Sequence, residues 1–189
     1  MAIRFNLMNQ KNLHDVVLRR AGEGDVGAVI ELARRIWTVH YPSIIGLTQI
    51  EYMLARMYAP AAILEDITRR GVCYELAEAG GDAVGFSAFG SGPAPGEMKL
   101  HKLYILPENQ GAGLGRKLLL NAADWGAANA FQTIILAVNK KNQQAFTAYC
   151  RYGFSIREEV VVDIGGGFVM DDYIMTCPIS SLLLTSSIV

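Results

Sequence analysis

The spacing of apolar side chains changes at about residue 71 of the chain. Before that point they recur every three or four positions, as from Val26 to Trp37, which predicts amphipathic helices. After it, short apolar stretches lie between glycine-rich turns, which is typical of strands. The run TIILAV at 133–138 is apolar throughout, as in a strand buried on both faces of a sheet. In chain order the pattern predicts a strand at 16–19, helices at 26–37, 49–58 and 60–70, strands at 72–78, 83–89 and 97–106, a helix at 114–125, a strand at 133–138, a helix at 142–152, and strands at 154–163 and 167–176.

Polar and glycine residues mark the predicted ends of these elements. Asp25 is expected to cap the first helix, and Thr48 with Glu51 three residues later is expected to form a capping box for the second. The Gly-Gly-Asp sequence at 80–82 and the three glycines at 165–167 predict tight turns between strands. The order of helices and strands indicates a mixed α/β sheet in one domain.

This pattern divides the 189 residues into an N-terminal arm at 1–15, an α/β domain at 16–177 and a C-terminal tail at 178–189. A chain of this length can bury a sizeable core. Hydrophobic residues make up 51% and charged residues 19%, so a globular rather than a disordered chain is expected.

Charge and cysteine content argue against several classes of protein. The net charge of −1 disfavours a nucleic-acid-binding protein that works by bulk electrostatics. Cys73, Cys150 and Cys177 form no CxxC pair and have no histidine at ligand spacing, which predicts free thiols without a metal site. The N-terminus lacks a signal-peptide core, and the apolar stretch near the C-terminus is too short to span a bilayer. We therefore expect a cytoplasmic protein with no membrane partner.

The segment PENQGAGLGRKLL at 107–119 places three glycines at alternate positions before a leucine-rich helix. Arg116 and Lys117 fall in the first turn of that helix, where cations oppose the helix dipole. A bound polyanion would offset this repulsion, and glycines allow consecutive backbone N–H groups to point into one concavity. The segment therefore predicts a phosphate-bearing ligand.

Two nucleotide-binding motifs do not fit this segment. A Walker A loop requires Gly-Lys-Ser/Thr, whereas Gly115 is followed by Arg-Lys-Leu, so the lysine is displaced and the magnesium-binding hydroxyl is missing. A dinucleotide fingerprint requires G-x-G-x-x-G and an acid about 20 residues later. The spacing here is G-x-G-x-G, and the strand that follows ends in no acid. Both mismatches weaken the hypothesis of a nucleotide-binding regulator.

The pattern Q-x-x-G-x-G, formed by Gln110, Gly113 and Gly115, resembles the pyrophosphate motif of the Gcn5-related N-acetyltransferases. Members of that family bind acetyl-coenzyme A (acetyl-CoA). A metal is not needed to hold the pyrophosphate there, because backbone N–H groups and the helix N-terminus supply the positive potential.

A second segment, NQQAFTAYCRYGF at 142–154, resembles the N-x-x-A-x-x-x-Y-x-x-x-G-F signature of the same family. Asn142, Ala145 and Tyr149 are three and four residues apart, and therefore share one helical face. The resemblance covers residues 16–176 and implies the acyl-CoA N-acyltransferase fold, a splayed central sheet flanked by helices.

The resemblance implies acetyl-CoA as co-substrate and transfer of its acetyl group to a primary amine. A main-chain N–H near the end of the fourth strand, around Ile105, would hold the thioester carbonyl. Lys140 and Lys141 are either phosphate ligands or solvated surface residues. The residues that the resemblance assigns to the cofactor are Leu103, Tyr104, Ile105, Gln110, Gly111, Ala112, Gly113, Leu114, Gly115, Arg116, Asn139, Asn142 and Tyr149.

Tyr149 matches the residue that protonates the leaving thiolate in this family. The sequence does not identify the general base. Glu97 and His101 lie four residues apart on the fourth strand and share a face by alternation, so both are candidates. Binding of the neutral fraction of the amine, or proton transfer through water, are the alternatives.

The acceptor-side segments are similar to those of bacterial spermidine/spermine N-acetyltransferases. The similarity lies in Tyr41-Pro42, in IEYMLARMY at 50–58 and in GFVMDDYIM at 167–175. The last segment contains Asp171 and Asp172, and a pair of carboxylates would attract a polyamine. Further negative charge comes from Glu51, Glu65 and Asp66.

Other functions stay open at this point. The acceptor alternatives are a protein or peptide N-terminus, an amino acid or an aminoglycoside. A non-catalytic acetyl-CoA-binding regulator on the same fold is the alternative from another class. The resemblance also allows a homodimer.

Overall fold

The computed structural model describes residues 16–184. The predicted N-terminal arm at 1–15 and the last five residues of the predicted tail lie outside this range. The helices and strands are β1 Val17–Arg20, α1 Val26–His40, α2 Pro42–Ile45, α3 Leu47–Met57, α4 Pro60–Thr68, β2 Cys73–Ala79, β3 Asp82–Ser91, β4 Glu97–Ile105, α5 Leu114–Ala128, β5 Thr133–Asn139, α6 Gln143–Arg151, β6 Ser155–Gly165, β7 Phe168–Pro178 and α7 Ile179–Leu184. Short 3₁₀ turns precede α1 and α5, at Glu23–Asp25 and Pro107–Asn109.

Seven strands form one sheet in the order β1-β2-β3-β4-β5-β7-β6, and the predicted mixed α/β sheet is thereby confirmed. Neighbouring strands are antiparallel except β4 and β5, which are parallel. The parallel ladder joins only 97–99 to 133–135. Beyond Lys99 and Ile135 the two strands separate, so the sheet is splayed as expected.

Helices cover both faces of the sheet. Helices α1, α3 and α4 pack on one face around a core that includes Trp37, Ile50 and Phe86. Helices α5 and α7 pack on the other face, against β4, β5 and β7. The contact of α5 with β4 is close, because a Cβ at Gly126 would collide with the Met98 sulfur.

Strand β4 contains a β-bulge at His101. On the neighbouring strand Phe89 pairs with Leu100 and Ala88 pairs with Lys102, which leaves His101 as the extra residue. Before the bulge, even-numbered side chains such as Leu100 enter the core on the α5 face. After it, Lys102 lies on the opposite face, where its Nζ is 3.6 Å from Asp66 Oδ2 of α4. A bulge thus changes which face each following residue occupies.

Of the two predicted helix caps, the one at Thr48 is wrong, whereas Asp25 does occupy the N-cap position of α1. Helix α3 begins at Leu47, one residue before Thr48, after Gly46 with a φ of 79°. The Asp25 side chain does not cap α1. Its carboxylate accepts from Gly22 N at 2.9 Å and from Arg19 Nη2 at 2.7 Å, and these bonds, with Arg19 first, lower the pKa of Asp25 to about 2.

Part of the segment expected to be a tail belongs to the fold. Residues 179–184 form α7, and Ile179 and Leu182 are buried against α5 and β7. None of the helices between residues 16 and 184 is both long enough and apolar enough to cross a bilayer. In the same range, no three His, Cys, Asp or Glu side chains gather as a metal-ion site.

Candidate active site

A cleft of about 690 Å³ opens where β4 and β5 separate. Residues 99–105 of β4 form one wall, and residues 136–139 of β5 with α6 form the other. Side chains from α1, α3 and β7 close one end of the cleft, and the glycine segment before α5 lies at the other. Within residues 16–184, the facing edges of β4 and β5 have no partner strand at this point, because the β4–β5 ladder ends at Lys99 and Ile135.

The structure brings most of the predicted cofactor residues to this cleft. Ala112 and Arg116 are not among the lining residues. Those that line it are Leu103, Tyr104, Ile105, Gln110, Gly111, Gly113, Leu114, Gly115, Asn139, Asn142 and Tyr149.

The glycine segment ends in a helix start that suits an anion. Gly113 is the N-cap of the 15-residue helix α5 and has the left-handed φ of 79°, which glycine adopts without strain. The first N–H groups of a helix have no acceptor within it, and α5 points them toward the cleft. Gly115 permits close contact with β4, because a Cβ there would lie 3.2 Å from Ile105 Cδ1.

Gln110 connects the two motifs. Its Nε2 donates to Ile105 O at 3.2 Å, and its Oε1 accepts from Gln144 Nε2 at 3.2 Å. Gln144 lies on α6, within the second motif. The amide therefore joins the end of β4 to α6 on the opposite wall of the cleft.

Two lysines expected near phosphate make other contacts. Lys117 Nζ donates to the Val16 carbonyl, which joins α5 to the beginning of β1. Lys140 Nζ lies 2.6 Å from Asp171 Oδ1 and 2.9 Å from Glu159 Oε2, and these hydrogen-bonded acids raise its pKa. Neither lysine lines the cleft, nor does Lys141. An anion at the start of α5 would therefore meet mainly backbone groups.

The second motif forms α6 as the spacing predicts. Asn142 caps the helix, since its Oδ1 accepts from Ala145 N at 3.2 Å. Asn142, Ala145 and Tyr149 all line the cleft, so they share one face. The Tyr149 ring packs edge-on to Phe154 with 5.5 Å between centroids. Burial, and then the nearby Tyr41, raise the pKa of the Tyr149 hydroxyl well above its usual value, so it stays protonated at neutral pH.

The packing of Trp37, Tyr41 and Tyr104 into one aromatic group beside Tyr149 was not predicted from the sequence, although Tyr41 and Tyr104 were each expected at the site. Tyr41 and Tyr104 pack with 6.4 Å between ring centroids, and Trp37 lies 4.7 Å from Tyr41. Burial raises the pKa of Tyr41 and of Tyr104, and the next contributions come from Tyr104 for Tyr41 and from Tyr58 for Tyr104. These residues come from α1, the α1–α2 junction and β4, so only the tertiary fold assembles them.

The predicted carboxylate pair is divided between two surroundings. Successive residues of a strand point to opposite faces, so Asp171 is exposed and bound to Lys140. Asp172 is buried, lines the cleft and accepts from Asn139 Nδ2 at 3.3 Å. Burial raises the pKa of the Asp172 carboxyl. The two aspartates therefore do not act together at the site.

The two candidate bases are also separated. Glu97, at the beginning of β4, is paired with Arg157 and does not line the cleft. His101 does line it, with part of the side chain exposed. Partial burial, and then the charges of Lys99 and Lys102, lower the pKa of His101 to about 4. An imidazole with that pKa is neutral at pH 7 but takes up protons weakly.

An NMR titration is expected to give a midpoint near 4 for His101, because the folded environment disfavours its charged form. The His101→Gln variant identifies the resonance and is expected to leave the pH dependence of kcat/KM around neutral pH unchanged. A midpoint at about 6.5, the value of a solvated histidine, together with an altered pH profile, would make His101 the base after all.

Known proteins that are similar to this chain identify its family. The sequence profile of the acetyltransferase (GNAT) family matches residues 29–154, which is more than half of the chain. The chain belongs to the GNAT acetyltransferase family.

An uncharacterized N-acetyltransferase of Mycobacterium bovis is 39% identical over 83 residues, which are 42% of this chain and 50% of the relative. The chain thus spans half the length of that relative. The spermidine N(1)-acetyltransferase of Thermoplasma acidophilum is 24% identical over 160 residues, 82% of this chain and 96% of the relative.

Solved structures of GNAT proteins share this fold. The PaiA N-acetyltransferase from Thermoplasma acidophilum, in complex with coenzyme A, has a TM-score of 0.74 at 24% identity and covers 86% of this chain and 98% of its own. A chimera of the Vibrio cholerae spermidine N-acetyltransferase SpeG has a TM-score of 0.68 at 20% identity and covers 89% and 98%. At these identities the likeness concerns the fold, which is the splayed sheet that the two motifs predicted.

Proposed function

We propose that the protein transfers an acetyl group from acetyl-CoA to a primary amine of a small molecule. The observation that carries the proposal is the cleft between β4 and β5, with a glycine-capped helix N-terminus at one end and the protonated Tyr149 hydroxyl on its wall. The first feature suits a pyrophosphate and the second suits a leaving thiolate. Membership of the GNAT family supports the same activity.

The chain's own groups fit acetyl-CoA as co-substrate. Backbone N–H groups at 113–115 would hold the pyrophosphate, and the free edge of β4 at 103–105 would offer main-chain groups to the pantetheine arm. A main-chain N–H in this stretch, which the family resemblance puts near Ile105, polarises the thioester carbonyl. Acetyl-CoA itself supplies an activated acyl group with a thiolate leaving group.

The reaction forms a C–N bond and breaks a C–S bond. The neutral amine attacks the carbonyl carbon, and the Tyr149 hydroxyl gives its proton to the departing sulfur. We assign the removal of the amine proton to Asp172, within residues 16–184 the one carboxylate that lines the cleft. Its raised pKa lies closer to the working pH than that of a solvated aspartate, which favours proton uptake.

A polyamine is a second candidate for the acceptor. It is favoured by the similarity to the spermidine N(1)-acetyltransferase of Thermoplasma acidophilum, which the alignment covers over 96% of its length. The expected attraction by two carboxylates is weakened, because Asp171 is bound to Lys140 outside the cleft. A peptide acceptor, a cytoplasmic location and a homodimer stay predictions from the sequence.

The proposal is tested by thermal unfolding and by thiol release on the full chain. Acetyl-CoA and CoA are expected to raise Tm, whereas ATP and NAD are not, because neither nucleotide motif is present. Acetyl-CoA with an amine panel is expected to release free thiol. Equal shifts with ATP would contradict the cofactor assignment. A CoA-specific shift without thiol release from any amine, amino acid, aminoglycoside or peptide would support a non-catalytic regulator.

A further inference from the structure

We infer that the acceptor is a primary monoamine carrying an apolar body, an aromatic or branched alkyl group, rather than a polycation. The inference rests on the proposed function and names the substrate class of the same cleft. It follows from three features of the end of the cleft formed by α1, α3 and β7, which we term the acceptor end.

Most of the lining of the acceptor end is apolar, with His40, Tyr41 and Asp172 as its polar exceptions. Trp37 and Met53 are almost completely buried, whereas Met57 is 41% exposed. Thioether side chains are flexible and polarisable, so they pack against apolar groups of varied shape and against aromatic rings. The apolar residues that line this end are Ile36, Trp37, Ile45, Met53, Met57 and Met170.

The acceptor end is closed by contacts between α3 and the turn that joins β6 to β7. Tyr52 Oη donates to Ile164 O at 2.8 Å, and Gln49 Nε2 donates to Val169 O at 2.9 Å. The same amide lies 3.7 Å from Met170 Sδ. A Cβ at Gly166 would lie 2.8 Å from the Tyr52 ring, so the turn fits closely on α3. The apolar lining is therefore held in place by the contacts between α3 and the turn that joins β6 to β7.

The charges that line the cleft match one ammonium group only. Asp172 is the one carboxylate on the lining within residues 16–184, and the cations there are Lys99, Lys102 and Arg151. Lys102 is buried among Tyr74, Tyr58 and Asp66, with its Nζ 2.7 Å from Tyr74 Oη. A second ammonium on the acceptor would meet apolar side chains or lysines, and an unpaired charge is costly to bury.

The sharpest comparison is between two acceptors of equal length. Pentylamine and 1,5-diaminopentane differ at one end, where a methyl group replaces an ammonium. We expect kcat/KM for pentylamine to exceed that for the diamine by on the order of tenfold or more, with 2-phenylethylamine above spermidine. Isothermal titration of the same amines into CoA-saturated protein is expected to give the same order.

A negative charge introduced at the acceptor end is expected to reverse the preference for pentylamine over 1,5-diaminopentane. Met57→Glu places a carboxylate on the partly exposed lining and should favour the diamine, without changing the Tm shift produced by CoA. Leu64→Glu on α4 is the matched control, since Leu64 is 38% exposed and does not line the cleft. The control should keep the wild-type order.

The outcomes separate this inference from the proposed function. Equal or tighter binding of diamine or spermidine by the wild type would overturn the inference, whether or not turnover occurs. Retained preference for pentylamine in the Met57→Glu variant would also overturn it. Preferential binding of the monoamines without any thiol release would support the inference on specificity and contradict catalysis.

Discussion

Tyr149→Phe is expected to lower kcat by about 10²- to 10⁴-fold while the Kd for CoA stays unchanged. The substitution removes one hydroxyl from a ring that packs on Phe154, so the cleft keeps its shape. The loss falls on kcat because a proton for the sulfur is needed only when the C–S bond breaks. Steady-state thiol release and isothermal titration with CoA measure the two quantities.

The pH profile gives a second test of the same role. Burial and Tyr41 raise the pKa of Tyr149, and a raised pKa keeps an acid protonated to higher pH. Wild-type kcat is therefore expected to show no descending limb at about pH 10, where an ordinary tyrosine ionises. Tyr173→Phe is the control, because Tyr173 packs on Phe146 outside the cleft lining. An unchanged kcat in Tyr149→Phe at every pH would remove Tyr149 from the mechanism.

Gly113→Val is expected to abolish the rise in Tm produced by acetyl-CoA. At 100 times its Kd a ligand adds about 2.7 kcal/mol, which for a chain of this size is on the order of 5–10 °C. The position has a φ of 79° and open space around its Cα, so the fold itself admits a side chain at the cost of left-handed strain. That side chain would fill the concavity formed by the N–H groups at the start of α5.

Gly167→Val separates ligand binding from strain. Gly167 has a φ of 80° and equally open space, but it lies in the turn between β6 and β7 and does not line the cleft. Both variants should lose a similar roughly 1–2 kcal/mol of stability. Only Gly113→Val should lose the shift with acetyl-CoA. A full shift in Gly113→Val would mean that the ligand binds elsewhere.

The periodicity of apolar residues predicted most of the fold, because each helix or strand buries one or both of its faces in the protein core. The helical stripe from Val26 and the apolar run at 133–138 correspond to α1 and β5. Helix α7 was missed, since SSLLL is too short to show a period and is buried by tertiary contacts with α5 and β7. Thr48 failed as a cap because Gly46 reaches a backbone conformation that lets the helix begin earlier.

The cofactor side of the cleft was predictable because its chemistry is local. A glycine turn and the helix after it are neighbours in sequence, and so are the residues that share a face of α6. The acceptor side was predicted only in part. Met53 and Met170 lie in the segments at 50–58 and 167–175 that were expected there, whereas Trp37 was not expected, because it comes from a distant helix. The prediction that Asp171 and Asp172 act as a pair was wrong, because adjacent residues on a strand occupy opposite faces of the sheet.

The bulge in β4 has a consequence for how this chain tolerates change. Without the bulge, and with His101 paired to Ala88, strict alternation would bring the Lys102 ammonium into the core against α5, where Leu100 lies. With the bulge, β4 contributes side chains to the core in its first half and to the cleft wall in its second half. What fixes the faces is therefore the unpaired position at 101 rather than the imidazole. Substitutions there should be accepted, and deletion of His101 would place Lys102 directly after Leu100, still paired with Ala88 and on the face it already occupies.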